Sequence, residues 1–306
     1  TFNIGRNKNK IDKLASGEKE MVLSSGWAGS QLLNSDDYRA YVGGTTGLIY
    51  GFVNDGFYTV DDFKPFDSKS RTWTLKDGVV NSSPLSGDPR PGNAKFKKLT
   101  PVDENSANPY TLTDDDRTVI GNTTPKFSGG FGLNATFKGF DVSAFFNFMY
   151  DFDVFNANKV MMTTWASNNY NNFSMDISAA KRWRNFDDMG NEIRYSPEIL
   201  AEFNKNATMW NPTSIGRPIA MSYAVEDGSF LRLNTATIGY TLPRAWTNKV
   251  GLSRVRFYAS GYNLFTITGY SGYDPEVDIA TGLTPNIDNN RYPRSRTYTF
   301  GVQLTF

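Results

Sequence analysis

Residues 294–306, at the end of the chain, alternate between two kinds of side chain with a period of two. One parity carries Tyr298, Phe300, Val302, Leu304 and Phe306, and the other carries Thr297, Thr299, Gly301, Gln303 and Thr305. Successive side chains of a β-strand point to opposite faces, so this pattern predicts a strand whose two faces meet different environments. A soluble sheet can show such alternation once, so the rest of the chain must repeat it before a membrane strand is predicted.

The same alternation recurs along the chain and predicts six strands, at residues 1–11, 126–137, 140–152, 230–241, 254–266 and 294–306. Each is about as long as a tilted transmembrane strand requires, ~9–11 residues. In the fourth strand, Leu231 and Leu233 have one parity while Ile238 and Tyr240 have the other, which predicts a β-bulge between them. Lys138-Gly139 predicts a two-residue hairpin turn.

The connections between these strands alternate between long and short. The long ones, at residues 12–125, 153–229 and 267–293, are polar and rich in Gly, Asn, Asp and aromatic residues. Outer-membrane barrels have long extracellular loops and short periplasmic turns. We therefore predict an all-β fold: an antiparallel transmembrane β-barrel segment with long structured extracellular loops. Inside the second long connection, residues 177–183 after Asp176 predict a short helix.

Composition narrows the chemistry that is available to this chain. The 32 basic and 31 acidic residues give a net charge of +1, so no nucleic-acid partner is predicted. Cys and His are both absent, which removes thiol nucleophiles, histidine bases and the usual zinc ligands. The acidic run at residues 114–116 is interpreted as a solvated loop, and residues 101–108 lack the Gly and spaced oxygens of a calcium loop. We predict no catalytic residue, no metal and no cofactor.

Several blocks resemble, in order, the C-terminal part of SusC/RagA-type TonB-dependent outer-membrane transporters of Bacteroidota. They are Asn7-Lys8-Asn9-Lys10, Asp116-Arg117-Thr118-Val119-Ile120-Gly121-Asn122, Lys138-Gly139-Phe140-Asp141, Phe230-Leu231-Arg232-Leu233, Gly239-Tyr240-Thr241-Leu242-Pro243 and Gly272-Tyr273-Asp274-Pro275-Glu276. Barrels of this class have roughly 22 strands around a plugged lumen. The resemblance implies that residues 1–306 supply about six C-terminal strands, and we expect the chain to be part of a larger protein.

The resemblance also implies a function and a set of partners. We expect a protein of the bacterial cell outer membrane, not an enzyme, that imports a large nutrient, foremost an oligosaccharide, with an oligopeptide as the alternative. Its expected partners are a SusD-like surface lipoprotein, TonB with ExbB and ExbD, the remaining plug and barrel part of the same transporter, and outer-membrane lipid. A soluble β-rich glycan-binding or glycan-degrading protein and a passive porin are the rival interpretations.

Aromatic and hydrogen-bonding residues in the long connections are the candidate substrate contacts. A sugar offers apolar ring faces and many hydroxyls, which suit the flat rings of Trp and Tyr and the donors of Asn and Arg. The alternative role for each is packing within the loops or against the lipoprotein. The predicted contacts are Trp165, Asn168, Tyr170, Arg182, Trp183, Trp210, Tyr270 and Tyr273.

Overall fold

The computed structural model describes residues 1–34, 36–164, 173–277 and 282–306, without the side chain of Ser16. Within these ranges the strands are β1 (Phe2–Gly5), β2 (Glu20–Leu23), β3 (Tyr38–Tyr41), β4 (Leu48–Gly51), β5 (Asn54–Phe57), β6 (Ala94–Phe96), β7 (Thr118–Asn122), β8 (Phe127–Phe137), β9 (Phe140–Tyr150), β10 (Asp153–Asn156), β11 (Val225–Asp227), β12 (Phe230–Thr241), β13 (Arg254–Thr268), β14 (Ile287–Asp288) and β15 (Thr297–Thr305). The α-helices are α1 (Ser83–Ser86), α2 (Ala157–Met161), α3 (Pro197–Phe203) and α4 (Arg244–Thr247).

All six predicted strands are present, and they form one sheet in chain order, β1-β8-β9-β12-β13-β15. We call this sheet the wall. Every neighbouring pair in it is antiparallel. β1 ends at Gly5, before the polar residues 6–10, and is therefore shorter than predicted, whereas β13 continues to Thr268.

The pairing register collects most of the apolar residues of the six strands on one face of the wall. Phe131 lies opposite Phe146, Ile238 lies opposite Val142, and Ala259 lies opposite both Ile238 and Phe300. These side chains do not close into a dry centre, since Phe300 is 80% exposed and its strand neighbours on the same face are also exposed. The wall therefore has one continuous apolar face, and this face is exposed.

The predicted bulge and the predicted hairpin turn are both confirmed. Leu233 pairs with Phe146 while Thr235 pairs with Phe145, so β12 contains one extra residue between them. This extra residue places Leu233 on the same face as the apolar residues farther along the strand. At the β8–β9 turn, Lys138 has a φ of 47° and Gly139 a φ of 89°, as a type I′ turn requires.

The other face of the wall carries mostly small and polar side chains, with Phe145 and Met149 of β9 as exceptions. Here Arg256 of β13 reaches across β12 to Asp141 of β9, and its Nε donates to Asp141 Oδ1 at 2.9 Å. Gly239 of β12 lies between them, and a Cβ at this position would lie 2.5 Å from the Arg256 Nη2. This glycine therefore lets the ion pair cross the sheet.

The three long connections fold against one another into a single body, which we call the cap. It contains the sheets β2-β3-β4-β7, β5-β6 and β11-β10-β14. Its largest hydrophobic core takes buried side chains from every long connection, among them Tyr38, Phe155, Trp210, Met221 and Ile287. Phe52 and Met221 form a parallel bridge between the first and second connections. The main hydrophobic core of this chain therefore lies in the cap.

The predicted helix at residues 177–183 is wrong. A single 3₁₀ turn forms instead at Met175–Ile177, and the Ser174 hydroxyl caps it by accepting from the Asp176 backbone N–H. Arg182 then continues into an extended bridge with Met209. Among the described residues, no helix combines the length and apolar character that a membrane span requires.

The interpretation of residues 114–116 as a solvated loop is wrong for Asp116, which is fully buried. Its carboxylate accepts from the backbone N–H groups of Leu99, Thr100 and Thr113 at 2.8–2.9 Å and from the Thr100 hydroxyl at 2.7 Å. Burial alone would raise the pKa of Asp116, but these hydrogen bonds outweigh burial and lower the pKa to about 2. Through these hydrogen bonds, Asp116 links residues 99–100 to residues 113–116 within the first connection.

The depressed pKa of Asp116 gives a testable pH dependence. A carboxylate whose pKa falls from 3.8 to about 2 on folding stabilises the protein above pH 3.8, and this stabilisation is lost as the pH falls through 2. We expect Asp116→Asn to lower the free energy of unfolding at pH 7 by about 2 kcal/mol and to flatten its decline below pH 4. Denaturant unfolding at several pH values measures both effects. The matched control, Asp115→Asn at the exposed neighbour, should change stability by less than about 0.5 kcal/mol.

Candidate functional site

A cleft of about 580 Å³ opens in the cap between the second and third long connections. Two tyrosines from the third connection stand at it with their rings in solvent: Tyr273 is 84% exposed and Tyr292 is 91% exposed. The other lining residues are mostly polar: Asn156, Asn158, Lys159, Met162, Ser174, Asp176, Ser271, Gly272, Asn290, Arg291 and Pro293. We call this the tyrosine cleft.

Glu226 of β11 holds one side of the tyrosine cleft in place. Its carboxylate accepts from the Ser271 backbone N–H at 2.9 Å, the Ser271 hydroxyl at 2.8 Å and the Asn156 amide at 3.2 Å. Lys159 lies 3.2 Å from the same carboxylate. Burial alone would raise the pKa of Glu226, but the Ser271 hydrogen bonds and Lys159 together lower it, so the group is a fixed anion at neutral pH.

Asp288 of β14 holds the opposite side. It accepts from the Tyr270 hydroxyl at 2.6 Å and from the Asn158 amide at 3.1 Å. The Asn158 side-chain oxygen accepts in turn from the Asn290 backbone N–H at 2.9 Å. Burial, with the bond to Asp288, raises the pKa of Tyr270, which therefore stays a neutral donor. The cleft thus rests on hydrogen bonds that span both connections.

The tyrosine cleft offers binding groups of two kinds. The exposed rings are flat apolar surfaces with a hydroxyl at the edge, and the amides and charged groups around them can donate and accept hydrogen bonds. Within the described ranges, no group of three or more carboxylates gathers as a metal site would need. The arrangement can bind a hydroxyl-rich ligand with apolar ring faces.

The structure separates the predicted contact residues by exposure. Trp183, Trp210 and Tyr270 are 3%, 2% and 6% exposed, so they pack inside the cap. Trp210 stacks edge-on against Tyr223 at 4.7 Å in the main core. Arg182 is half-buried, and its Nη1 donates to the Ile177 carbonyl at 2.9 Å. Of the five predicted contacts that the structure describes, only Tyr273 lies at the tyrosine cleft. Trp165, Asn168 and Tyr170 lie outside the described residues.

Three residues of this site, Tyr292, Asn156 and Glu226, are not among the contacts predicted from the sequence. Tyr292 stands beside Pro293 before β15, and the two tyrosines of the cleft are nineteen positions apart in a connection without periodicity. A signal was available in the polar residues close to the ends of wall strands, since Asn156 lies six positions after the end of β9 and Glu226 lies four positions before the start of β12.

A buried ion cluster joins the third connection to the wall. Arg232 of β12 is 2% exposed, and its Nη1 lies 3.2 Å from one carboxylate oxygen of Asp274 while Nη2 lies 2.5 Å from the other. Glu276 lies 3.6 Å from Arg232 and 2.8 Å from Arg294. We call these four residues the clamp. Since Asp274 adjoins Tyr273, the clamp fixes the base of the tyrosine cleft on the wall.

An all-β chain with an antiparallel wall, an outward apolar face and a structured cap has the architecture of an outer-membrane β-protein. No protein-family model matches the chain. TonB-dependent receptor P3 of Formosa agariphila is 30% identical over 311 residues, which cover 100% of this chain and 26% of that protein. SusC of Bacteroides thetaiotaomicron is 32% identical over 164 residues, covering 49% of this chain and 15% of SusC.

Solved structures agree on the fold. The RagAB peptide transporter matches with a TM-score of 0.60 and 20% identity, over 100% of this chain and 26% of that chain. The RagAB peptide importer in the closed-closed state matches with a TM-score of 0.57 and 21% identity, over 100% of this chain and 27% of that chain. The chain matches the C-terminal part of SusC/RagA-type TonB-dependent transporters.

The match places the chain in the bacterial outer membrane, and the names of these relatives are those of receptors and transporters. The expected resemblance and localisation are confirmed, and the alternative of a soluble β-rich glycan-binding or glycan-degrading protein is set aside. The chain spans about a quarter of the length of the relatives that it matches along its whole length.

Proposed function

We propose that this chain forms the C-terminal strands and extracellular cap of a TonB-dependent importer of a large nutrient, and that the nutrient is an oligosaccharide. The observation that carries the proposal is the wall, which joins a continuous exposed apolar face to a polar opposite face. The first face suits acyl chains, and the second suits the interior of a barrel.

The edges of the wall support a larger assembly. Within the described residues, β1 pairs only with β8, and β15 pairs only with β13. Unpaired strand edges are not tolerated in a lipid environment, because each unpaired backbone group costs several kcal/mol there. We infer that the remaining plug and barrel part of the same transporter completes a barrel of roughly 22 strands. On this proposal, TonB with ExbB and ExbD supplies energy, and a SusD-like surface lipoprotein covers the cap.

Uptake assays in cells test the proposed activity. We expect import of the cargo to require this transporter and to stop when TonB is deleted. Uptake that persists without TonB would identify a passive porin. Binding of short peptides but not oligosaccharides would favour the peptide alternative, which is the cargo named for RagAB.

The tyrosine cleft makes the oligosaccharide proposal specific. Each exposed ring can stack on one sugar face, a contact worth about 1 kcal/mol or about fivefold in affinity. We expect Tyr273→Ala and Tyr292→Ala each to weaken oligosaccharide binding by about fivefold, measured by calorimetry on the complete transporter. Met189→Ala, which removes an exposed apolar side chain elsewhere in the cap, is the matched control. Unchanged affinity in both tyrosine variants would place the cargo site elsewhere.

A further inference from the structure

A second groove lies in the cap between the first and second long connections. It has two lobes of about 510 and 500 Å³, which share the lining residues Asn185, Arg194 and Thr213. Five arginines line it, Arg71, Arg90, Arg182, Arg184 and Arg194, against two aspartates, Asp88 and Asp187. We call it the arginine groove. The charged residues that line the groove are mostly basic, whereas the whole chain has a net charge of only +1.

The arginines of this groove are only partly paired. Arg184 lies 2.7 Å from Asp188, and Arg194 pairs with Glu192. Arg71 and Arg90 have no carboxylate partner among the described residues; the guanidinium of Arg71 lies 5.1 Å from the centre of the Tyr195 ring. Like charges gathered in one cavity repel one another, and a bound anion relieves that repulsion.

Two further features of the groove are an indole donor without an acceptor and a constrained backbone at Arg71. Trp183 lines the second lobe, and its indole N–H is buried without a hydrogen-bond partner among the described residues. Arg71 has a φ of 54°, the left-handed region that costs a non-glycine residue energy. The preceding turn is fixed by Asp67, which accepts from the Lys69 backbone N–H at 2.9 Å. The Trp183 indole is therefore one more donor at the groove that lacks an acceptor.

We propose that the arginine groove binds the anionic groups of an acidic oligosaccharide, either uronate carboxylates or sulfate esters. Both groups offer acceptor oxygens and no donors, and both suit the planar fork of a guanidinium. The Trp73 and Tyr195 rings in the first lobe provide apolar surface for the sugar. This inference rests on the proposed function and narrows the cargo to a negatively charged class.

Calorimetry on the complete transporter tests the proposal with three tetrasaccharides: one sulfated, one containing uronates and one neutral. We expect Arg71→Ala/Arg90→Ala to weaken binding of the sulfated or the uronate ligand by at least about tenfold, because two charge-assisted contacts are lost. Neutral tetrasaccharide binding should change by less than about twofold. Anion binding should also weaken as salt is raised.

Control variants separate loss of the site from loss of folding. Arg71→Lys/Arg90→Lys keeps the charges but not the forked geometry, so an intermediate affinity is expected. Arg244→Ala removes an exposed arginine from α4, in the short connection at the other end of the wall, and should change nothing. Heat-modifiable migration confirms that each variant is assembled.

Several results would overturn the inference. One is equal affinity of the neutral and charged ligands, and another is unchanged affinity in the double alanine variant. Tight binding of a glutamate tetrapeptide without binding of either charged tetrasaccharide would assign the groove to peptides instead. TonB-dependent uptake of a neutral oligosaccharide, unaffected by the double variant, would refute the arginine groove as the cargo site while leaving the proposed function intact.

Discussion

Replacing Phe300 with arginine should lower the free energy of unfolding of the assembled transporter by about 2–4 kcal/mol, the cost of a charged residue on the lipid face at mid-depth. Phe300 lies near the middle of β15, on the outward apolar face and opposite Ala259. A guanidinium there must leave water for acyl chains, and a lipid-facing residue finds no partner for it. Denaturant unfolding in lipid vesicles measures the loss, and folded levels in the outer membrane should fall with it.

Thr299→Arg is the matched control for that experiment. Thr299 is the preceding residue of the same strand, is also exposed and points to the opposite, polar face. On the proposed function, a charge at this position faces the barrel interior, so it should cost much less than the charge at Phe300. Equal losses in the two variants, or a larger loss at Thr299, would contradict the assignment of the two faces.

The second large effect is the loss of stability that we expect when the clamp is broken. Arg232→Ala leaves Asp274 buried without its main partner, and breaking one side of a buried ion pair costs about 3–5 kcal/mol. The third connection should also loosen, because the clamp holds it to β12. We expect a matching fall in the free energy of unfolding, faster proteolysis within residues 269–296 and weaker cargo binding at Tyr273.

A double variant distinguishes the charge from the packing. Arg232→Leu/Asp274→Leu removes both charges and keeps apolar volume, so it should be much more stable than Arg232→Ala. Glu276 retains Arg294 in that variant, at 2.8 Å. Lys126→Ala, which breaks an exposed pair with Asp151, should cost less than about 1 kcal/mol. If Arg232→Ala costs no more than Lys126→Ala, the clamp does not anchor the connection.

The wall could be predicted from the sequence because its strands and turn are determined by residues that are close together in the chain. Period-two alternation follows directly from strand geometry, and the turn at Lys138-Gly139 follows from the backbone angles that it needs. The parity change after Leu233 required a bulge, and the paired strands contain one. Only the exact strand ends were missed, as at Gly5, where polar residues end the pairing.

The cap could not be predicted in this way because its contacts join residues far apart in the chain. Trp183 and Trp210 lie in polar stretches and look like surface residues, yet their partners come from other connections or distant positions. Asp116 looks like one of three solvated acids until Leu99 and Thr100 fold back onto it. Neither the tyrosine cleft nor the arginine groove exists within a single sequence segment.

The shared core of the cap has a consequence for transplanting specificity between related importers. Phe52 bridges Met221 across two connections, and the Tyr38 hydroxyl donates to the Pro285 carbonyl across another two. A chimera that exchanges one connection alone would set a foreign surface against two native ones and leave mismatched halves of each binding site. The three long connections, residues 12–125, 153–229 and 267–293, should therefore be exchanged together.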